Sequence, residues 1–272
     1  MKKKPKENIV IIGNKGELGS FLKYGLPKYS NKIILSKYAR INSNLDSEIL
    51  FNKIKKPVSL IICGGKTKYR CKELKDSKIH VKIARSLIAK LSNEKINYII
   101  YLSTTAVYGE KLFHDNASEK KTPKPNTPYS ESKLKAEKLL SCACKKNNIK
   151  VCILRLPIVW DLNTNASFPT PNKIFKQIEA EKKVINFPAS LVPARQYLKK
   201  GSFLKVVARC LKIKAEGTFN VTPDESLSMH DFCRLIHYPH VIKIKQNFNK
   251  YPESQTYSNV KLKKALRFIS FK

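Results

Sequence analysis

Acidic residues are scarce in this chain: 20 Asp and Glu stand against 54 Lys and Arg, a formal charge of +34 over 272 residues. Long apolar runs are also missing. A bilayer-crossing helix needs roughly 18 such residues, and the longest runs, such as 9–12 and 99–102, are strand-sized; no membrane span is expected. Glycine and proline are few, 9 and 14, and no internal repeat or low-complexity linker occurs, which excludes collagen-like structure and wholesale disorder. The 42% of hydrophobic residues suffices for a sizeable core, as one large domain or two small ones. The seven cysteines include no CxxC pair and no His at zinc spacing, which reads as reduced thiols with no metal. Cys142 and Cys144, two apart, would fall on different sides of a helix.

The start, Met1-Lys2-Lys3-Lys4-Pro5-Lys6, carries the charge of a signal peptide, but the apolar stretch after it stops at Gly13 without a small-residue cleavage site. It reads as a solvated tail on a cytoplasmic protein. The +34 charge suits a nucleic acid, an anionic substrate or an acidic surface. The excess is overwhelmingly Lys, however, and is spread along the whole chain. Arg is the residue of planar, bidentate phosphate recognition, so the charge reads as decoration of solvent faces, and nucleic acid is not expected as a partner.

Apolar runs at Asn8–Ile12, 32–35, 58–63, 98–102 and 151–156 predict five strands, the last halted by Pro157. Helical spacing follows Gly19, recurs between Asp76 and Leu91, and recurs again from Pro128 to about Lys146, where Thr127 can cap the start. Residues 109–127 read as a polar, Pro-containing loop. Alternation of this kind predicts an α/β fold with a doubly wound parallel sheet. From about Asp161 the rhythm loosens; helices are expected near 174–181, 201–212 and from Ser228, with a strand at 218–221. The expected division is 1–160 and a smaller lobe, 161–272, with segments returning to the first.

Three motifs carry chemistry. Gly13, Gly16 and Gly19 follow a strand and open a helix, the setting in which a glycine turn and free helix N–H groups receive a phosphate. Tyr129 and Lys133 stand four apart at a helix start and so share a face; a cation beside a phenol lowers its pKa and suits it to proton exchange with a carbonyl or hydroxyl. Ser103, Thr104 and Thr105 end the fourth strand, where ligands of open α/β sheets bind.

In this order and spacing, and together with Cys63-Gly64-Gly65, Leu154-Arg155-Leu156-Pro157 and Gly217-Thr218-Phe219-Asn220-Val221, the motifs make the chain resemble the extended short-chain dehydrogenase/reductase family, its nucleotide-sugar epimerase and dehydratase group. The resemblance spans nearly the whole length. It implies a Rossmann-type fold whose C-terminal lobe binds substrate. It also implies Tyr129 as general acid/base, Lys133 on the nicotinamide ribose, and Thr104 on the reacting oxygen, with Thr105 close enough to share that role. Gly13, Gly16 and Gly19 would cradle the pyrophosphate, with Leu18, Cys63, Gly64, Gly65 and Pro157 lining the cofactor and Asp46 near the adenine. Arg195 resembles the basic residue that grips a substrate diphosphate.

The departures from the family pattern narrow the reading. Where NAD-specific members place an acid after the second strand, this chain has Ser36, Lys37 and Arg40, which suit a 2′-phosphate and favour NADP(H) over NAD(H). His80 stands where relatives often carry a structural Asn. Thr105-Ala106 replaces the Asp-Glu pair of the dehydratases, which argues against dehydration. The segment around Gly201-Ser202 lacks the usual Asp, and the chain is short for an epimerase. The resemblance therefore implies an NADP(H)-dependent reductase of a 4-keto nucleotide-linked sugar, expected as a homodimer. The alternatives are a C4 epimerase that keeps its cofactor, and an RNA-binding or nucleotide-sensing protein on the same fold.

Overall fold

Strand β1 (Asn8–Ile12) is buried from Ile9 onward, as a strand covered on both faces must be. The computed structural model describes residues 8–28, 32–34, 52, 57–68, 71, 73–92, 95–110, 113–161, 184–187, 193–228, 231–232, 243–246, 254–267 and 271. After β1 come α1 (Glu17–Gly25), β2 (Lys32–Ile34), β3 (Val58–Ile62), α2 (Leu74–Ile88), β4 (Ile96–Thr104) and β5 (His114–Ala117). Then follow α3 (Pro128–Lys146), β6 (Lys150–Leu156), β7 (Ile158–Trp160), β8 (Val184–Phe187), β9 (Tyr197–Lys199) and α4 (Lys200–Ile213). The chain closes with β10 (Gly217–Asn220), β11 (Lys243–Gln246), β12 (Gln255–Tyr257) and α5 (Val260–Leu266).

Six strands form one sheet in the order β2-β1-β3-β4-β6-β10, every pair parallel. Alternate residues of each strand face opposite layers. Ile9 and Ile11 pack with Leu22 of α1, Phe203 and Val207 of α4 and Leu262 of α5. Val10 and Ile12 pack with Ile83 and Leu87 of α2 and Ala136 and Leu140 of α3. The sheet is thus wound on both faces, as the strand–helix alternation predicts. The chain leaves β1 towards β2 on one side and β3 on the other, and the crevice outside the strand ends at such a switch is where these folds bind ligands.

The local signals behind α3 act as expected. The Thr127 side chain accepts from the Ser130 N–H, the Ser130 hydroxyl lies 3.1 Å from the Thr127 N–H, and Pro128 opens the helix. A helix start at Ser228 is also present: its hydroxyl accepts from the Asp231 N–H at 2.9 Å. The helix expected near 174–181 lies outside the described residues.

Two expectations need correction. The loop 109–127 contains β5, which pairs in parallel with β12 near the other end of the chain. Pro157 ends β6, but extended chain resumes at once as β7, which pairs with β9. Both strands are held by distant partners and not by local apolar alternation. Among the described residues no helix is long and apolar enough to cross a membrane.

Candidate active site

The turn after β1 is built on close backbone approach. Gly13 sits at φ +85°, in the left-handed region, and a Cβ there would lie 2.7 Å from the Gly64 nitrogen. A Cβ on Gly19 would collide with the Gly13 carbonyl oxygen and lie 2.8 Å from its carbon. Gly16 N–H donates to the Gly13 carbonyl at 2.9 Å, and α1 then starts with no side-chain cap on its first N–H groups. Uncapped donors at a positive helix end, reached over glycines, fit the phosphates of a dinucleotide.

These elements open onto a cavity of about 440 Å³. Its wall is formed by residues 16–19, 63–68, 102–106 and 156–159, with His80, Glu110, Tyr129, Lys133, Arg195, Gln196, Gln255 and Tyr257. Gly16, Leu18, Gly19, Cys63, Gly64, Gly65, Thr104, Thr105, Tyr129, Lys133, Pro157 and Arg195 are thus brought to one surface. Gly13 supports that surface from behind Gly19 and Gly64. Ser36, Lys37, Arg40 and Asp46 lie outside the described residues.

At the centre, Tyr129 and Thr104 stand together in the cavity wall, and the Thr104 side chain acts on the phenol. Thr104 Oγ1 also accepts from the Ala106 N–H at 3.2 Å, which fixes the strand end. The net shift of the Tyr129 phenol is upward, not the lowering expected from a neighbouring cation. Burial dominates and pushes the phenol above its ordinary value; Thr104 lowers it, while Cys71 and Glu110 raise it. The Lys133 ammonium donates to the Leu102 carbonyl at 2.7 Å and lies 4.8 Å from the centre of the Tyr101 ring. Burial pushes Lys133 down to about 8, against the pull of Cys63, Glu137 and Cys71. Burial also pushes the Cys63 thiol up to about 12, Lys133 acting the other way.

Thr105 is buried, and its Oγ1 lies 3.5 Å from the Leu156 carbonyl. Arg195 is held at the rim by backbone pairing with Leu227 at 2.8 Å in both directions. Gln196 fixes the facing segment, accepting from the Tyr257 N–H at 2.8 Å and donating to the Tyr257 carbonyl at 3.1 Å. His80 is buried between α2 and α3, with its Nδ1 2.9 Å from the Ser132 hydroxyl.

Several wall residues escape sequence reasoning. Lys66 and Lys68 follow the Gly64-Gly65 pair at a strand end, so the strand-end rule could have found them; they are ion-paired with Asp76 and Glu110. Glu17, inside the glycine motif, pairs with buried Lys200 of α4 at 2.9 Å. Gln255 and Tyr257 carry no local signal, because β12 is held at the site by partners distant in sequence, β5 and residues 194–196.

A family model described as "NAD dependent epimerase/dehydratase family" matches residues 9–187. No curated protein matches the chain. Among solved structures, the chain resembles UDP-glucose 4-epimerase of Thermotoga maritima with UDP-glucose, at TM-score 0.78 and 17% identity over 96% of this chain and 93% of that one. It resembles UDP-glucuronic acid 4-epimerase of Bacillus cereus with NAD at TM-score 0.79 and 18% identity, over 97% and 93%. It also resembles RMD of Pseudomonas aeruginosa complexed with NADPH at TM-score 0.74 and 17% identity, over 95% and 92%. At these identities the likeness is one of fold.

Proposed function

The chain belongs to the NAD dependent epimerase/dehydratase family, and from that premise we propose that it reduces the 4-keto group of a nucleotide-linked sugar with NADP(H). The observation that carries this reading is the placing of Tyr129, Lys133 and Thr104 in the same cavity as the glycine turn and the uncapped start of α1. A nicotinamide bound along that turn would supply the hydride. Tyr129 gives its proton to the substrate oxygen, and Thr104 holds both groups in line. Lys133, anchored on Leu102, presents its remaining N–H groups to the ribose. Cys63, Gly64, Gly65, Leu18 and Pro157 shape the cofactor wall, and Arg195 takes the substrate diphosphate. Holding the reactants in one orientation provides much of the acceleration.

Residues 1–160 serve the cofactor in this reading, and 161–272 the substrate, with β10 completing the main sheet. NADP(H) is preferred because Ser36, Lys37 and Arg40 stand where an acid would select NAD(H). The protein acts as a homodimer paired through α3. No acid–base pair adjoins Thr104, since Thr105 and Ala106 follow it, so dehydration is not proposed.

C4 epimerisation is the second reading. It is favoured by the fit to UDP-sugar 4-epimerases over 93% of their length, which removes chain length as an argument against it. A reductase releases oxidised cofactor at each turnover, whereas an epimerase keeps and recycles it.

The test titrates the purified protein with NADPH and NADH by nicotinamide fluorescence, then follows NADPH oxidation with UDP-linked 4-keto sugars. Tighter NADPH binding, weakened by Lys37→Ala and Arg40→Ala, with stoichiometric NADPH loss, is the expected result. Cofactor retained through purification with interconversion of UDP-glucose epimers would move the assignment to the epimerase. A protein free of cofactor that binds neither nucleotide would overturn both.

A further inference from the structure

His80 is 2% exposed, and its ring touches three separate parts of the chain. Nε2 is 2.9 Å from the carbonyl oxygen of Lys66, in the segment after β3. Nδ1 is 2.9 Å from the Ser132 hydroxyl of α3 and 3.2 Å from the Ser77 carbonyl one turn back on α2. A carbonyl oxygen only accepts, so the Nε2 facing Lys66 carries the N–H. In a neutral ring Nδ1 then carries no proton, and the single Ser132 hydroxyl proton lies between Nδ1 and the Tyr129 carbonyl oxygen. Burial, helped by the Lys133 charge, pushes His80 down to about 3, which keeps it neutral.

The ring also meets the side chain of Tyr129 edge-on, with centroids 5.5 Å apart and planes at 76°. It fits only because residue 65 is glycine: a Cβ on Gly65 would lie 2.5 Å from Nε2 and closer still to Cδ2. Ser132 stands between Tyr129 and Lys133 in the chain, and its hydroxyl is 2.8 Å from the Tyr129 carbonyl oxygen. His80 therefore grips both the backbone turn and the ring of Tyr129.

We infer that His80 is a positioning residue for Tyr129: its imidazole fastens the Lys66 carbonyl to the first turn of α3 and sets the phenol towards Thr104. The inference rests on the reading of Tyr129 as proton donor. A phenol oriented in advance needs no reorganisation when its proton moves. The two contacts can be separated by substitution. A Gln amide extends far enough to keep the donor to Lys66, whereas an Asn amide reaches only Ser132.

The test is fluorine NMR of protein labelled with fluorotyrosine, in which the Tyr129 resonance is the one lost in Tyr129→Phe. His80→Asn and His80→Ala should move or split that resonance, and His80→Gln should return it towards the wild-type position. In the assay with UDP-linked 4-keto sugars, His80→Asn should lower kcat by roughly tenfold to a hundredfold, with the Kd for NADPH nearly unchanged. His80→Gln should restore most of the loss. A Tyr129 resonance unmoved by His80→Asn overturns the inference. So does a loss of kcat matched by an equal loss of NADPH affinity, which would reduce the ring to packing. Failure of the underlying reading looks different: Tyr129→Phe would then turn over at the wild-type rate.

Discussion

Arg155 and Glu137 form a two-bond ion pair inside the protein, with Nε and Nη2 of Arg155 3.2 and 2.7 Å from the two Glu137 oxygens. Both side chains are buried. The Ser103 hydroxyl also donates to Glu137. Arg155 Nη1 donates to Tyr108 at 2.8 Å, and the Tyr108 hydroxyl donates to Asn220 at 2.9 Å. One network thus joins α3, β6, the turn after β4 and β10 beneath the strand ends that carry the site.

Removing one partner of such a pair leaves an uncompensated buried charge. Glu137→Leu should destabilise the fold by about 3–5 kcal/mol, and adding Arg155→Met should recover much of that loss. Urea unfolding of the two single variants and the double variant measures the coupling. Additive losses would mean that the pair is not the unit of stability.

The imidazole of His80 gives a pH test independent of turnover. Its folded value, about 3, lies below the ordinary 6.5. Between the two, the unfolded chain takes up the extra proton, so stability falls as pH falls. From about pH 7 to about pH 5 this group alone should cost about 2 kcal/mol. His114 shifts in the same direction, so the relevant quantity is the difference between wild type and His80→Gln. Equal acid sensitivity in the two proteins would mean that His80 is not buried as a neutral ring.

What was legible in the sequence is what is fixed locally. The buried runs of β1 and β3, the glycine turn and the Thr127-Pro128 helix start each declare themselves within a few residues. The strand β5 does not: His114-Asp115-Asn116-Ala117 has no apolar alternation, and its partner lies about 140 residues away, as in the bond from Asn116 N–H to Thr256 at 2.7 Å. Gln255 and Tyr257 therefore enter the cavity wall unannounced. Spacing puts Tyr129 and Lys133 on one face of α3, but the direction of the phenol's pKa depends on how deeply the folded chain buries it. The neighbouring cation alone gives the wrong sign, because burial outweighs it.

Gly19 and Gly201 make a matched pair of substitutions. A Cβ on Gly19 meets Gly13 backbone, whereas one on Gly201, inside α4, meets nothing within 4 Å. Gly19→Ala should destabilise by about 1–3 kcal/mol through overpacking against a backbone that cannot yield. Its NADPH binding should weaken further, because the turn itself must shift. Gly201→Ala should stabilise by about 0.5–1 kcal/mol, since Ala loses less freedom than Gly on entering a helix. Thermal melts and NADPH titrations of the two proteins check both signs.

Burial acts oppositely on the two groups proposed to handle the proton. It raises the Tyr129 phenol, which stays protonated across the working range, and lowers the Lys133 ammonium to about 8. Lys133 is therefore charged below that value and neutral above it. If its charge holds the ribose and supports proton release from Tyr129, kcat/KM for keto-sugar reduction should decline above about pH 8, with the slope of one proton. Lys133→Arg should remove that decline, because a guanidinium stays charged throughout the range. Tyr129→Phe should lower kcat by about 10²- to 10⁴-fold at every pH while NADPH affinity changes little. An alkaline decline that persists in Lys133→Arg would assign the titrating group elsewhere, and the buried thiol of Cys63, held up to about 12, titrates too high to account for it.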